Sequence, residues 1–418
     1  MICSSRGSLL LLVFLFVFGL CFSVTARTWT STSGSQIEAD LTGFEDGAAI
    51  LKKADGSELK VKVHQLSESD QAFLKEELKK NPVYRIREVA LFPIKVDGKF
   101  GYIDVLGKVV IPPTYQKAEM FGGGLGLVEG PYPGFVNADG TPVIGVDKVG
   151  PGDAYRSFAD GVAPFRKGSK WGLIDVTGKV ILEPRYADIR SFSEKRAAVR
   201  VGAQDQWGIG KRGYIDPTGK MVIEPVYNEA LDFSDGLGAV NLKGVYGSWG
   251  FVDSTGKVVI EPQFHRAYSF YGGIARAMPK EGGGFGLIYK TGKYVLSKEE
   301  KTEKQGGLSI KRTTWYHTEN FGCGVAPVKF KDDLFLVDHK GKRASKKLPY
   351  RYVSQFVEER AIYQVDGLYG YLDTKGQVVI KATYENAKSF QNGLAFVETK
   401  TESAYIDQGG KIVWRGPK

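Results

Sequence analysis

Seven aspartates, Asp104, Asp175, Asp216, Asp253, Asp338, Asp373 and Asp407, each stand three residues ahead of a glycine. Such an array could hold calcium or supply acid–base groups. Calcium needs several oxygen ligands from closely spaced positions, and no second acidic residue accompanies these at that spacing. The aspartates are therefore read as turn residues that accept backbone N–H bonds, each followed by a glycine that takes positive φ. The four histidines, His64, His265, His317 and His339, have no partner at zinc-ligand spacing. No serine lies in a Gly-x-Ser-x-Gly elbow. Gly122 to Gly126 and Gly282 to Gly286 are glycine-rich, but neither is followed by Gly-Lys-Ser/Thr or a helix pattern, so both read as wide turns. Cys323, beside Phe321, reads as a small buried hydrophobe. No catalytic, cofactor-binding or metal-ligating residue is assigned, and no cofactor is expected.

The elements that carry these residues repeat. The turn glycine recurs at Gly107, Gly140, Gly178, Gly219, Gly256, Gly292, Gly341, Gly376 and Gly410, at steps of 33, 38, 41, 37, 36, 49, 35 and 34 residues. A period near 37 marks stacked supersecondary units. Each unit reads as an alternating run, then a Gly-aromatic-aliphatic-Asp strand, then a Val-Val-Ile strand, which is hairpin patterning. Pro113, Pro184, Pro225 and Pro262 lack an N–H and are expected to mark where the third strand leaves its ladder. An aromatic residue is followed six positions later by phenylalanine in Tyr115/Phe121, Tyr186/Phe192, Tyr227/Phe233, Phe264/Phe270, Trp315/Phe321, Tyr350/Phe356 and Tyr384/Phe390. With Ala118, Ala230, Ala267 and Ala387 midway, this spacing predicts a packing seam between units.

Composition agrees with many tight turns. Glycine makes up 53 of 418 residues, well above the roughly 7% of average usage. Arg6, the apolar run Leu9 to Phe18 and the small-residue end Val24-Thr25-Ala26 have the form of a secretory signal cleaved after Ala26. The apolar run is too short for a spanning helix. Leu20 before Cys21 is too large for a lipoprotein signal. The protein is expected to be exported, periplasmic or extracellular, with no transmembrane segment after cleavage. The net charge of +10 would suit nucleic acid inside a cell. For an exported chain it points instead to an acidic glycan, envelope component or protein, or to lysines that simply solvate turns.

Trp171-Gly-Leu-Ile-Asp-Val-Thr-Gly-Lys-Val-Ile-Leu-Glu-Pro and Trp249-Gly-Phe-Val-Asp-Ser-Thr-Gly-Lys-Val-Val-Ile-Glu-Pro resemble the WG-repeat (KWG-type) family of bacterial proteins. The resemblance covers roughly residues 84 to 414, with Phe100, Phe285 and Tyr369 in place of Trp. Arg27-Thr-Trp-Thr, Ile37 to Gly43, Asp55-Gly56, Leu59 to Val63 and the capped helix pattern Ser67 to Leu78 resemble the SLA1 homology 1 domain. That resemblance implies an SH3-like barrel of the kind found in endocytic adaptors and in exported bacterial proteins. In adaptors the domain binds short Asn-Pro-Phe-type peptides, but no groove residue of this chain can be matched to that specificity.

The expected fold is all-β: a signal peptide (1–26), a small SH3-like barrel (27–80) and an array of about nine β-meander repeats (84–418). The array is expected to form a β-propeller, which removes exposed edges, with an open β-solenoid as the alternative. The expected function is non-enzymatic binding or scaffolding of a protein or peptide, with a glycan- or envelope-binding protein as the alternative. The turn lysines, such as Lys257, stand four residues after an aspartate and leave most turns locally neutral. Partner contacts are therefore expected on segments that interrupt the repeat. These are Gly202 to Lys211, with Trp207, and the inserted loop Ser297 to His317, with Lys298, Lys301, Lys304, Lys311 and Arg312.

Overall fold

A computed structural model describes residues 27–32, 34–45, 48–62, 65–80, 90–130, 133–145, 154–202, 210–242, 248–305 and 308–418. The expected signal segment, His64 and Trp207 lie outside the described residues. The chain divides into two compact units, one ending at Tyr84 and the other starting at Arg85.

In the first unit, strands Arg27–Thr30, Gln36–Glu45, Ala48–Lys52 and Glu58–Lys62 pair antiparallel in chain order, and helix Glu68–Lys80 follows. Asp55-Gly56 closes the last hairpin, with Gly56 at φ +83° and Ser57 N–H donating to Asp55 Oδ1 at 2.8 Å. Trp29, Leu51, Leu66 and Leu74 form the core, and the Trp29 indole N–H donates to the Ala39 carbonyl at 3.0 Å. Ser67 caps the helix by accepting from Asp70 N–H at 3.2 Å. The buried Asp70 carboxylate accepts from Arg27 Nη2 (2.7 Å), Thr30 N–H (2.7 Å) and Ser67 Oγ (2.9 Å). Burial alone would raise its pKa. The Thr30 N–H, the Arg27 guanidinium and the Ser67 hydroxyl together outweigh that and hold it below the usual carboxylate range.

In the second unit each repeat is an antiparallel meander. One example runs Asp188–Ile189, Ala197–Val201, Lys211–Ile215 and Met221–Tyr227 in that order across the sheet. The short first strand, absent from the sequence reading, completes a fourth strand. The reason is visible in the seam: the first strand lies between the spaced aromatics, where Ile189, Ala230 and Ala267 are buried along with Phe192, Phe233 and Phe270. A buried phenylalanine of this kind contributes about 1.5–3 kcal/mol.

The turn reading holds in atomic detail. All nine turn glycines have φ between +73° and +90°. Asp253 Oδ1 accepts from Thr255 N–H at 2.9 Å and from Lys257 N–H at 3.1 Å. The same pair of bonds forms at Asp104, Asp175, Asp216, Asp338, Asp373 and Asp407. At Tyr289, one of the two exceptions, Thr291 Oγ1 takes over the Lys293 N–H.

The proline reading is corrected. The third strand continues through the proline: Trp249 pairs with Phe264 and Phe251 with Ile260, so Gly250 faces the three-residue bulge Glu261-Pro262-Gln263. Proline suits a bulge because no ladder bond is required there. The bulge also explains the glycine of the Trp-Gly pair. A Cβ at Gly250 would lie 2.5 Å from the Ile260 carbonyl oxygen, and Gly101, Gly172, Gly213 and Gly370 abut the corresponding carbonyls.

Neighbouring units pack through one recurring contact. Gly256 lies against Ile223 of the preceding unit, Gly219 against Leu182, Gly376 against Leu348 and Gly410 against Ile380. Gly107 of the first unit abuts the Val413 backbone carbonyl of the last, where those other turn glycines meet an aliphatic side chain. Between those two units Tyr405 Oη donates to the Pro93 carbonyl at 3.0 Å. The Phe92 and Tyr405 rings meet at 5.4 Å, inside a core shared by Ile94, Ile103 and Leu394.

Candidate partner-binding site

The segment 297–317, read as an inserted loop, is a regular hairpin of strands Lys298–Gln305 and Leu308–Trp315. Its register sets Lys301 opposite Arg312, Thr302 opposite Lys311 and Lys304 opposite Ser309. Lys298 is engaged: its ammonium pairs with Glu300 at 3.0 Å and Glu281 at 3.6 Å, and it lies 5.2 Å from the Trp315 ring centroid. The Glu300 hydrogen bond, chiefly, raises its pKa. Tyr316 Oη donates to Glu299 at 2.7 Å, tying the hairpin base to the core. Trp315 packs onto Gly283, which accounts for the glycine run there as the place where an indole meets bare backbone.

Cys323 is exposed, contrary to the sequence reading. It sits at φ +50° in the tight turn between the first and second strands of its unit. Equivalent turns hold Asp160, Glu194, Asp235 and Glu358, whose carboxylates accept N–H bonds from the next unit. Cys323 Sγ does the same for Glu359 N–H at 3.2 Å. His265 is half-buried on a strand, while His317 and His339 are exposed. Among the described residues no group of three or more His, Cys, Asp or Glu is placed to hold a metal ion.

A different set of residues is brought into register by the repeat. Immediately after the short strand, strand end or bridge that opens each of eight units stands one residue whose N–H donates to the carbonyl eight positions on. These residues are Glu119, Arg156, Arg190, Leu231, Tyr268, Glu319, Ser354 and Lys388, all bonded at 2.9–3.0 Å. Eight backbones are thus equivalent, while the eight side chains include three basic, two acidic, two neutral polar or aromatic and one aliphatic. None is buried, and Glu119 and Lys388 are exposed. Several tie adjacent units together. Arg156 pairs with Asp188 at 3.0 Å and lies 4.4 Å from the Trp171 centroid. Arg190 Nε donates to Asp232 Oδ1 at 2.6 Å and its Nη2 to Oδ2 at 3.3 Å. Glu319 accepts from Arg276, whose guanidinium also lies 4.3 Å from the Tyr268 ring centroid.

Three of the eight, Arg190, Leu231 and Tyr268, line a cavity of about 390 Å³ together with Asp232, Ser269 and Tyr271. Burial, then the nearby Asp232 and Asp235, raises the Tyr271 phenol. The sequence reading missed this row. Its signal is a fixed place, four residues after the spaced aromatic, whose residue type varies from unit to unit.

The repeats are WG-containing repeats: that family's model matches residues 100–129, 171–204, 213–246, 249–282 and 369–400. The chain joins them to an N-terminal SLA1 homology domain 1, matched over residues 23–81. No curated protein matches the chain in sequence. Similar solved structures include Hsv2p of Kluyveromyces lactis, at 7% identity and TM-score 0.32, covering 62% of this chain and 94% of that one. Another is the CRINKLY WD40 ectodomain of the Arabidopsis thaliana receptor kinase ACR4, at 10% identity and TM-score 0.31, covering 60% and 93%. Both scores are too low to establish a shared fold.

Proposed function

We propose that this chain is an exported, non-catalytic binding protein whose WG repeats close into a β-propeller ring and hold a protein or peptide partner. One observation carries the reading: a single backbone position, fixed by the same hydrogen bond in eight units, presents eight exposed or half-buried side chains of differing chemistry. A constant frame with one variable, accessible position per unit is how a repeat array specifies a partner. Mixed charge along the row suits a protein surface better than a polyanion, which would call for one sign.

Closure into a ring is supported by the contacts of Gly107 with Val413 and of Tyr405 with Pro93. They set the last unit directly against the first. The SLA1-like domain offers a second surface for peptide. Cleavage after Ala26 would leave Arg27 at the chain start, already fixed by Asp70.

Capture from an envelope extract on the immobilised full chain tests the reading. Reversing two exposed row charges, Glu119→Lys with Lys388→Glu, is expected to cut recovery of the partner roughly tenfold, or about 1.4 kcal/mol. Recovery that is unchanged by this pair, and lost when Lys301, Lys304, Lys311 and Arg312 are reversed, would move the site to the hairpin.

A further inference from the structure

The cavity that opens between Arg190 and Tyr271 has chemistry of its own. Its volume, about 390 Å³, lies at the low end of the roughly 300–1,000 Å³ of small-ligand pockets, too small for a folded partner. The two charges in its lining, Arg190 and Asp232, meet in a bidentate pair and cancel. A free ion therefore meets no net charge there.

The serine hydroxyls around it have committed their protons. Ser193 Oγ donates to the Phe233 carbonyl at 2.8 Å, Ser234 Oγ to Phe270 at 2.6 Å and Ser269 Oγ to Asp232 at 3.0 Å. A serine hydroxyl has one proton and two lone pairs, so these oxygens can only accept further bonds. With the Asp232 carboxylate they give the lining a set of acceptors, while the Asn320 amide, the Tyr268 and Tyr271 phenols and the remaining Arg190 N–H groups supply donors. Tyr268 and Tyr271 line it beside them, and the Tyr271 ring is 41% exposed. The complementary ligand is neutral, carries several O–H donors and has an apolar face that can lie on a phenol ring.

We infer that this cavity binds a neutral saccharide unit. The inference goes beyond the protein partner proposed above. It shares Arg190, Leu231 and Tyr268 with the row, but Glu119 and Lys388, whose reversal tests the protein partner, do not line the cavity, so the two readings fail separately. The Asp232–Arg190 edge accepts from and donates to adjacent hydroxyls, the serine oxygens accept from others, and the Tyr271 ring covers the C–H face.

The test is titration of the full chain with glucose, galactose, mannose and N-acetylglucosamine, read by saturation-transfer NMR and calorimetry. At least one sugar is expected to bind in the millimolar range or better. Tyr271→Ala, at an exposed ring whose loss leaves the core intact, should weaken it roughly tenfold, as should Asp232→Asn. Failure of all four sugars to bind would overturn the inference, and so would binding unchanged in both variants. Tighter binding of methylamine than of any sugar would overturn it too, by showing a cation site.

Discussion

At Gly250 the repeat's identity reduces to a single hydrogen atom. The residue faces the bulge around Pro262, and any Cβ there would press on the Ile260 carbonyl. Gly250→Ala is expected to destabilise the chain by about 2–3 kcal/mol, the cost of overpacking a site whose neighbour is backbone. Gly236→Ala is the control. Its position has positive φ but open space, so the cost should be nearer 1 kcal/mol. Urea unfolding of both variants measures the difference, and equal losses would show that the bulge contact is unimportant. The turn residues were legible in the sequence because Asp and Gly act locally, through bonds that span four residues. Cys323 was misread because its exposure is set by its turn position and not by its own polarity. The variable row was missed because, although it stands four residues after the seam aromatics, a position that varies offers no residue type to follow.

Elements were legible where their period is local. The meander strands, the Asp55-Gly56 hairpin and the Ser67-capped helix follow the sequence reading, whereas the two-residue first strands and the 298–315 hairpin do not. A two-residue strand is too short to show alternation. The hairpin's run of Lys and Glu carries little strand propensity, and it is held by its cross-strand pairing and by the contacts of Lys298, Glu299 and Trp315 at its base. In the N-terminal element, the helix is joined to the sheet through Asp70. Its folded pKa lies below the unfolded value of about 3.9. The stabilisation is therefore complete above that value and is lost as pH falls through the folded one. Asp70→Ala should cost this unit about 2–3 kcal/mol at neutral pH. That is somewhat less than the ~3–5 of a fully buried pair, because Arg27 is 33% exposed. The gap from wild type should narrow in thermal melts at about pH 2. A gap that stays constant with pH would mean that the carboxylate's charge contributes nothing.

For the whole molecule, the sequence supported both a closed propeller and an open solenoid, because a period of 37 residues says how units repeat and not whether the last meets the first. The contacts of Gly107 with Val413 and of Tyr405 with Pro93 carry the closed reading, and with it the claim that the variable row forms one continuous rim. The most direct test is a distance between equivalent exposed turns of the first and last units. Spin labels at Lys99→Cys and Lys400→Cys would supply it, with the exposed Cys323 replaced by serine. Packed sheets stand about 10 Å apart, so a closed ring predicts label separations of about 20 Å or less. An open array would hold the labels eight steps apart, about 80 Å, and that result would contradict the closed rim.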